Sequence, residues 1–210
     1  MAGDSGKMKL YWYPDYRSVR AIWLLKELEA EQDVELVRFF PGGDQADDAA
    51  FRKDVHPHCT IPALTIPGDI PILESGAICM YLADKYGKLL PEPQYRQDYY
   101  NFLIYTVATI DGVLDFFYQL YGANMTFSDE KVQQMTDKLN VCFDFVSRRL
   151  QGRQYICGDK LTAVDCVFGY VIYYSTLLKD GALLKNYPKL QEYHDRIKKR
   201  PHYQATINMK

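Results

Sequence analysis

Hydroxyl donors crowd one short stretch of this chain: Tyr11, Tyr13, Tyr16 and Ser18, with Arg17 among them. The chain holds 18 tyrosines in 210 residues, a surplus that can serve packing, a binding surface or catalysis, since each ring carries one O–H. A second group is Glu74-Ser75, directly ahead of a helical run. A serine at a helix start offers a hydroxyl, a backbone N–H and the positive end of the helix dipole, which together suit a carboxylate. Glu74 beside it has the charge to hold an ammonium; the same pair also reads as a plain helix cap. His56, His58 and Cys59 form a third group with zinc-ligand chemistry, but no fourth ligand stands at a recognisable spacing, so no metal is expected. Cys59 alone reads as packing or as a reactive thiol.

Composition narrows what these groups act on. Apolar residues make up 48% and charged residues 25%, an ordinary balance for a globular protein. Lys+Arg 25 against Asp+Glu 27 leaves a formal charge of -2, so no positive excess exists to neutralise a nucleic-acid backbone. No apolar run approaches the ~18 residues of a membrane span. The polar first residues carry no secretory pattern. Five cysteines, an odd number with no C-x-x-C pair, read as reduced thiols in a cytoplasmic protein.

The elements that must position these residues follow from periodicity. Residues 9–13 are strand formers ended by Pro14-Asp15, and from Val19 the period becomes helical, with Ala21, Leu24, Leu25 and Leu28 on one face. Residues 34–40 read as a second strand and 47–54 as a short helix. Residues 61–66 and 70–73, separated by Pro67-Gly68-Asp69, read as an antiparallel hairpin, and 75–86 again as a helix. This order predicts a mixed sheet with helices packed on it. Leu90-Pro91-Glu92-Pro93 reads as a linker. Beyond it the pattern is all helical: 98–120, 129–150, 163–178, and a last helix near Pro188 ending by Lys199. Thr162-Ala163-Val164-Asp165 has the form of a capping box, with Leu161 placed to staple onto the first turn.

Four motifs carry a family resemblance: Tyr16-Arg17-Ser18-Val19-Arg20-Ala21-Ile22-Trp23-Leu24-Leu25, the loop His56 to Pro62, Glu74-Ser75-Gly76-Ala77-Ile78 with Tyr81-Leu82, and Gly158-Asp159 with Leu161-Thr162 and Asp165. In order and spacing the chain resembles the cytosolic glutathione S-transferase superfamily, in particular a bacterial and fungal branch with an Arg-Ser-x-Arg-x-x-Trp-Leu-Leu first helix. The resemblance implies a thioredoxin-like α/β domain over residues 8–87 that binds glutathione. It also implies a linker over 88–97 and an all-α domain over 98–210 that holds the second substrate.

The same resemblance implies residue roles. Ser75 takes the γ-glutamyl carboxylate and Glu74 the ammonium. The Ile61-Pro62 bond is cis, and Ile61 offers its backbone to the cysteinyl part. Relatives in that branch often carry Gly and then Lys where this chain has Cys59 and Thr60; that lysine pairs with the glycyl carboxylate, and here Thr60 offers a neutral hydrogen bond, with His58 or Arg17 able to compensate. The thiol needs a hydroxyl donor. In a gap-free match the family's hydroxyl falls on Tyr16, with Ser18, Tyr11 and Tyr13 as the other donors, while Arg17 serves as electrostatic support or as a structural ion pair. Tyr105, Ile110, Phe116, Phe117 and Tyr118 are candidates to line an apolar pocket for the second substrate. The expected activity is conjugation or reduction of a small hydrophobic electrophile with glutathione by a homodimer. Two rivals share the fold: a non-catalytic binding or assembly module, and a glutathione-dependent isomerase or disulfide reductase.

Overall fold

The computed structural model describes residues 6–210. The chain divides into two units, one running to Lys88 and including Pro201–Lys210, the other Leu89–Arg200.

In the first unit, β1 (Met8–Trp12) lies between β2 (Val34–Arg38), which it pairs in parallel, and β3 (Ala63–Thr65), which it pairs antiparallel; β4 (Ile72–Leu73) completes the order β2-β1-β3-β4. The two-residue alternation of a strand sends Met8, Leu10 and Trp12 to one buried side and Lys9 and Tyr11 to the other. Tyr11 therefore joins a cluster of Phe51, Cys59, Ile61 and Ala63, its ring meeting Phe51 edge-on at 5.0 Å. The strands are shorter than the apolar runs suggest: β3 begins only after Pro62, and Pro67 and Pro71 confine the hairpin, because proline cannot donate to the ladder.

Three helices belong to the sheet: α1 (Ser18–Leu28), α2 (Gln45–Asp54) and α3 (Ser75–Tyr86). The α2 start precedes the expected one because Asp44 caps it, accepting from the backbone N–H groups of Ala46 and Asp47. Nearly all of α1 is buried, including Trp23 and Arg20. Part of the reason is the last helix of the chain, α9 (Pro201–Ile207), which packs on α1 with Tyr203 meeting Trp23 edge-on at 4.9 Å. The expected all-helical domain over 98–210 thus gives up its final residues to the sheet unit.

The second unit holds α4 (Arg96–Tyr105), α5 (Asp111–Phe117), α6 (Asp129–Arg149), α7 (Ala163–Leu177) and α8 (Pro188–Ile197). The single helix expected over 98–120 is instead two α segments joined and followed by π-helical turns, Thr106–Ile110 and Tyr118–Gly122. The buried Thr106 hydroxyl donates to the Phe102 carbonyl at 2.7 Å, competing for the acceptor that the regular helix would use and favouring the widened turn. The predicted capping box is present at the start of α7. Both Thr162 groups, N–H and hydroxyl, donate to Asp165 Oδ2, while Asp165 Oδ1 also accepts from the Ile156 N–H and the Tyr193 hydroxyl. No helix among the described residues is long and apolar enough to cross a membrane.

Candidate functional site

The first unit builds one small polar cavity. Arg17, Thr60, Ile61, Pro62, Glu74 and Ser75 line it, together with His56, and its volume is about 190 Å³. Each wall has a local cause. Arg17 ends the turn that leads from β1 into α1: Tyr13 to Tyr16 is closed by a Tyr16 N–H to Tyr13 carbonyl bond, with Pro14 second and Asp15 at φ 62 third. That sequence of backbone angles is a type II turn, with an aspartate where glycine is usual. Ile61-Pro62 is cis, and sets the entry into β3.

Glu74 and Ser75 form the far wall. Glu74 takes φ 68 and ψ 122 ahead of α3, a conformation that non-glycine residues rarely adopt and that clusters at binding sites. Ser75 is the first residue of a twelve-residue helix, where backbone N–H groups and the dipole favour an anion. Behind it lies Arg20, fully buried, whose Nη1 donates to Ser75 Oγ at 3.0 Å. A hydroxyl whose lone pair is occupied by that donor keeps its own proton for a ligand. The cavity end at Ser75 therefore gathers a hydroxyl, a helix N-terminus and a guanidinium, and the Glu74 end carries negative charge. Cys79, the next turn along α3, is inert: burial pushes its thiol up to about 12 despite the opposing pull of Arg20.

The third wall is the loop between α2 and β3. His56, expected only as an incomplete metal ligand, lines the cavity and is 4% exposed. It accepts the His58 backbone N–H at Nδ1, 3.2 Å, and its Nε2 lies 2.9 Å from Thr60 Oγ1. Cys59 occupies φ 53, a left-handed angle that glycine adopts without cost, and its buried thiol is held above the ordinary range by desolvation and by Asp48. Among the described residues no group of three or more His, Cys, Asp or Glu side chains is placed to hold a metal.

The hydroxyl donors at the start of the chain separate. Ser18 is fully buried, and its Oγ donates to the Tyr13 carbonyl at 3.1 Å and accepts the Tyr13 N–H at 3.3 Å. That hydroxyl is bonded inside the turn, on both its donor and its acceptor side. Tyr11 is held in the core cluster between Phe39 and Phe51. Tyr13 lies under the Arg38 guanidinium, 4.9 Å from its ring centre, and against Phe40 at 4.8 Å. Tyr16 remains the most open, 38% exposed, its ring meeting Tyr13 at 5.8 Å and Phe40 at 6.5 Å, both edge-on.

In the second unit, Ile110, Phe116 and Phe117 are buried in the core. Phe116 packs edge-on against Phe117 at 5.4 Å and tilted against Phe127 at 4.7 Å. Tyr105 lies on a wider groove of about 730 Å³ between α4–α5 and α6, where its hydroxyl donates to Cys142 Sγ at 3.3 Å. That groove is mostly apolar, whereas the smaller cavity is lined mainly by polar and charged side chains.

Comparisons with known proteins place the chain in a family. Residues 17–85 match the family model for the glutathione S-transferase N-terminal domain, and residues 113–205 match that for the C-terminal domain. Glutathione S-transferase D7 of Drosophila melanogaster is 33% identical over 166 residues, covering 76% of this chain and 71% of the relative. The chain belongs to the glutathione S-transferase family. Glutathione S-transferase D6 of the same organism is 29% identical, covering 69% of this chain and 66% of that protein. A glutathione transferase family member from Pseudomonas fluorescens, solved with two glutathione molecules bound, shares the fold with TM-score 0.83 at 23% identity, covering 97% of this chain and 93% of that one. The mixed sheet with its helices and the helical second unit are thus the thioredoxin-like and all-helical parts of this family's fold.

Proposed function

We propose that the cavity at the start of α3 binds glutathione, and that the protein transfers it to a small hydrophobic electrophile. The observation that carries this reading is the convergence of Arg17, Thr60, Ile61, Pro62, Glu74 and Ser75 on one cavity of a chain of this family. At about 190 Å³ the cavity is smaller than the ~300 Å³ at which whole-ligand pockets begin, which suits the charged end of a peptide with the remainder lying along the surface. The γ-glutamyl carboxylate meets Ser75, its N–H and the charge of Arg20; the ammonium meets Glu74; the cysteinyl part follows Ile61; and Thr60 donates to the glycyl carboxylate. All these contacts act before the reaction and bring the thiol to a fixed place.

A free thiol ionises near ~8.5, and only the thiolate attacks. Lowering that value by ~2 units, a difference of about 2.7 kcal/mol, makes the thiolate the main form at neutral pH. Tyr16 supplies the O–H that stabilises the sulfur anion: it is the most open of the four donors, while Ser18 is bonded within the turn, the Tyr11 ring packs on Phe51 and the Tyr13 ring lies against Arg38 and Phe40. The thiolate then forms a C–S bond to the electrophilic carbon while the leaving group departs with its electron pair, or, for an addition, the electron pair moves onto the acceptor and is protonated. We place this activity in a cytoplasmic homodimer, on the same family reading; five free, buried cysteines agree with a reducing compartment. Retention on immobilised glutathione, with a thermal shift at millimolar glutathione, tests the binding. Absence of both refutes it. Turnover of a chlorodinitrobenzene-type electrophile tests the transfer.

A further inference from the structure

The loop from α2 to β3 contains a buried histidine that the glutathione reading does not use. His56 closes the turn His56–Cys59, in which the Cys59 N–H donates to the His56 carbonyl at 2.9 Å and Pro57 fills the second place. Its Nδ1 accepts the His58 N–H at 3.2 Å, the bond that an asparagine or aspartate side chain makes at the start of such a turn. A backbone N–H can only donate, so Nδ1 carries no proton. The neutral ring then holds its proton on Nε2, which lies 2.9 Å from Thr60 Oγ1. That N–H donates to the hydroxyl oxygen, and Thr60, which lines the cavity, is left with its own O–H to donate.

We propose that His56 is a positioning residue whose two nitrogens do separate work: Nδ1 shapes the turn, and Nε2 sets the Thr60 hydroxyl as a donor into the cavity for a ligand carboxylate. The proposal rests on the glutathione reading, in which that carboxylate is the glycyl one. The same arrangement stands across the cavity, where a buried Arg20 N–H occupies Ser75 Oγ and leaves the serine proton for a ligand. Two hydroxyls, each backed by a buried N–H donor, thus face one pocket. A Thr60 hydroxyl without this support rotates freely among three orientations, so part of its hydrogen bond is lost in ordering it. The surroundings keep the ring neutral. Burial, then the charge of His58, hold His56 below the ordinary imidazole range, against the opposing pull of Glu74. Arg17 on the same cavity adds positive charge to the field.

Side-chain geometry separates the two jobs. Asparagine at this position presents an acceptor where Nδ1 stands and has nothing to reach Thr60; glutamine presents a donor near Nε2 and has no acceptor for the turn. We expect His56→Asn to keep the wild-type melting temperature while weakening glutathione by about fivefold in calorimetry. His56→Gln should bind glutathione within about twofold of wild type but melt earlier. γ-Glutamylcysteine, which lacks the glycyl carboxylate, should lose less than about twofold in His56→Asn, and His56→Asn/Thr60→Val should be no weaker for glutathione than Thr60→Val alone. In nitrogen-15 spectra of the wild-type imidazole, Nε2 should carry the proton at neutral pH. A proton on Nδ1, equal losses for both ligands in His56→Asn, or an additive double variant would each overturn the proposal. If the wild-type protein does not bind glutathione at all, the glutathione reading falls and this inference with it; if it binds and the variants behave otherwise, only the inference falls.

Discussion

Arg20 and Ser75, 55 residues apart in sequence, meet inside the first unit, where the buried guanidinium donates to the serine oxygen at 3.0 Å. The contact joins α1 to the first residue of α3 and aims the Ser75 O–H at the cavity. Ser75→Ala removes a hydrogen bond to a charged group, so glutathione affinity should fall at least tenfold with little change in melting temperature. Arg20→Lys keeps the charge but not the planar fork, and should weaken glutathione by several-fold. Calorimetric titration checks both. Unchanged affinity in Ser75→Ala would place the carboxylate elsewhere.

Tyr16 and Ser18 should separate by the kind of defect each variant shows. Tyr16→Phe should lower kcat/KM for a chlorodinitrobenzene-type electrophile about 100-fold, while glutathione affinity stays within about twofold. Ser18→Ala should leave the chemical step nearly intact and lower stability by about 1 kcal/mol, because the Tyr13 N–H loses its acceptor while the Tyr13 carbonyl keeps the Tyr16 N–H. Denaturant unfolding and steady-state kinetics on both proteins distinguish the roles. A Ser18→Ala protein that folds normally but is inactive would reverse them.

The capping box of the second unit was legible as a motif, and its depth was not. Asp165 is fully buried and accepts from Ile156, Thr162 and Tyr193. Asp165→Ala removes all of these at once and should cost roughly 3 kcal/mol in urea unfolding, whereas Thr162→Ala should cost about 1 kcal/mol. Equal, small losses would mean that the network adds little beyond a helix cap.

Stability should also depend on acid through buried histidine. Burial, with a smaller push from Lys198, lowers His194 to about 4. Its folded value lies below the unfolded ~6.5, so the unfolded chain binds the proton more readily. The contribution is complete above ~6.5 and is lost as pH falls through about 4. Asp165 acts in the opposite sense, raised to about 6 by burial, so its contribution is complete at low pH and lost as pH rises through that value. Comparing wild type with His194→Gln cancels Asp165. The melting temperature of the wild type should fall relative to the variant between pH 6.5 and 4; parallel curves would show that His194 does not titrate in this way.

Much of the fold was readable because its signals are local. The strand alternation of Met8, Leu10 and Trp12, the helical face of α1 and the capping box at Thr162 each act over a few residues. The helix α9 was not readable, since seven residues are too few to show a period and their reason for folding is Tyr203 packing on Trp23, nearly two hundred residues away. The π-helical turns were hidden for a similar reason: Thr106 in a helical pattern looks like any threonine until its hydroxyl takes the Phe102 carbonyl. At the site, Arg17, Thr60, Ile61, Pro62, Glu74 and Ser75 line one cavity, whereas Tyr11, Tyr16 and Ser18 are not among its lining residues. His56 was missed because its role lies in its tautomer and in the turn it closes; the nearest sequence signal was Pro57 after it, which marks the turn, and Thr60 four residues on.

In the proposed function, glutathione held in the cavity of Ser75 and Thr60 is ionised with the help of Tyr16. The most direct measurement is a pH titration of the bound thiolate's ultraviolet absorbance in the enzyme–glutathione complex, in wild type and Tyr16→Phe. The wild-type midpoint should lie about 2 units below the ~8.5 of the free thiol and return most of the way in Tyr16→Phe. A bound thiol that titrates as it does in solution, or a depressed midpoint that Tyr16→Phe leaves unmoved, would contradict it.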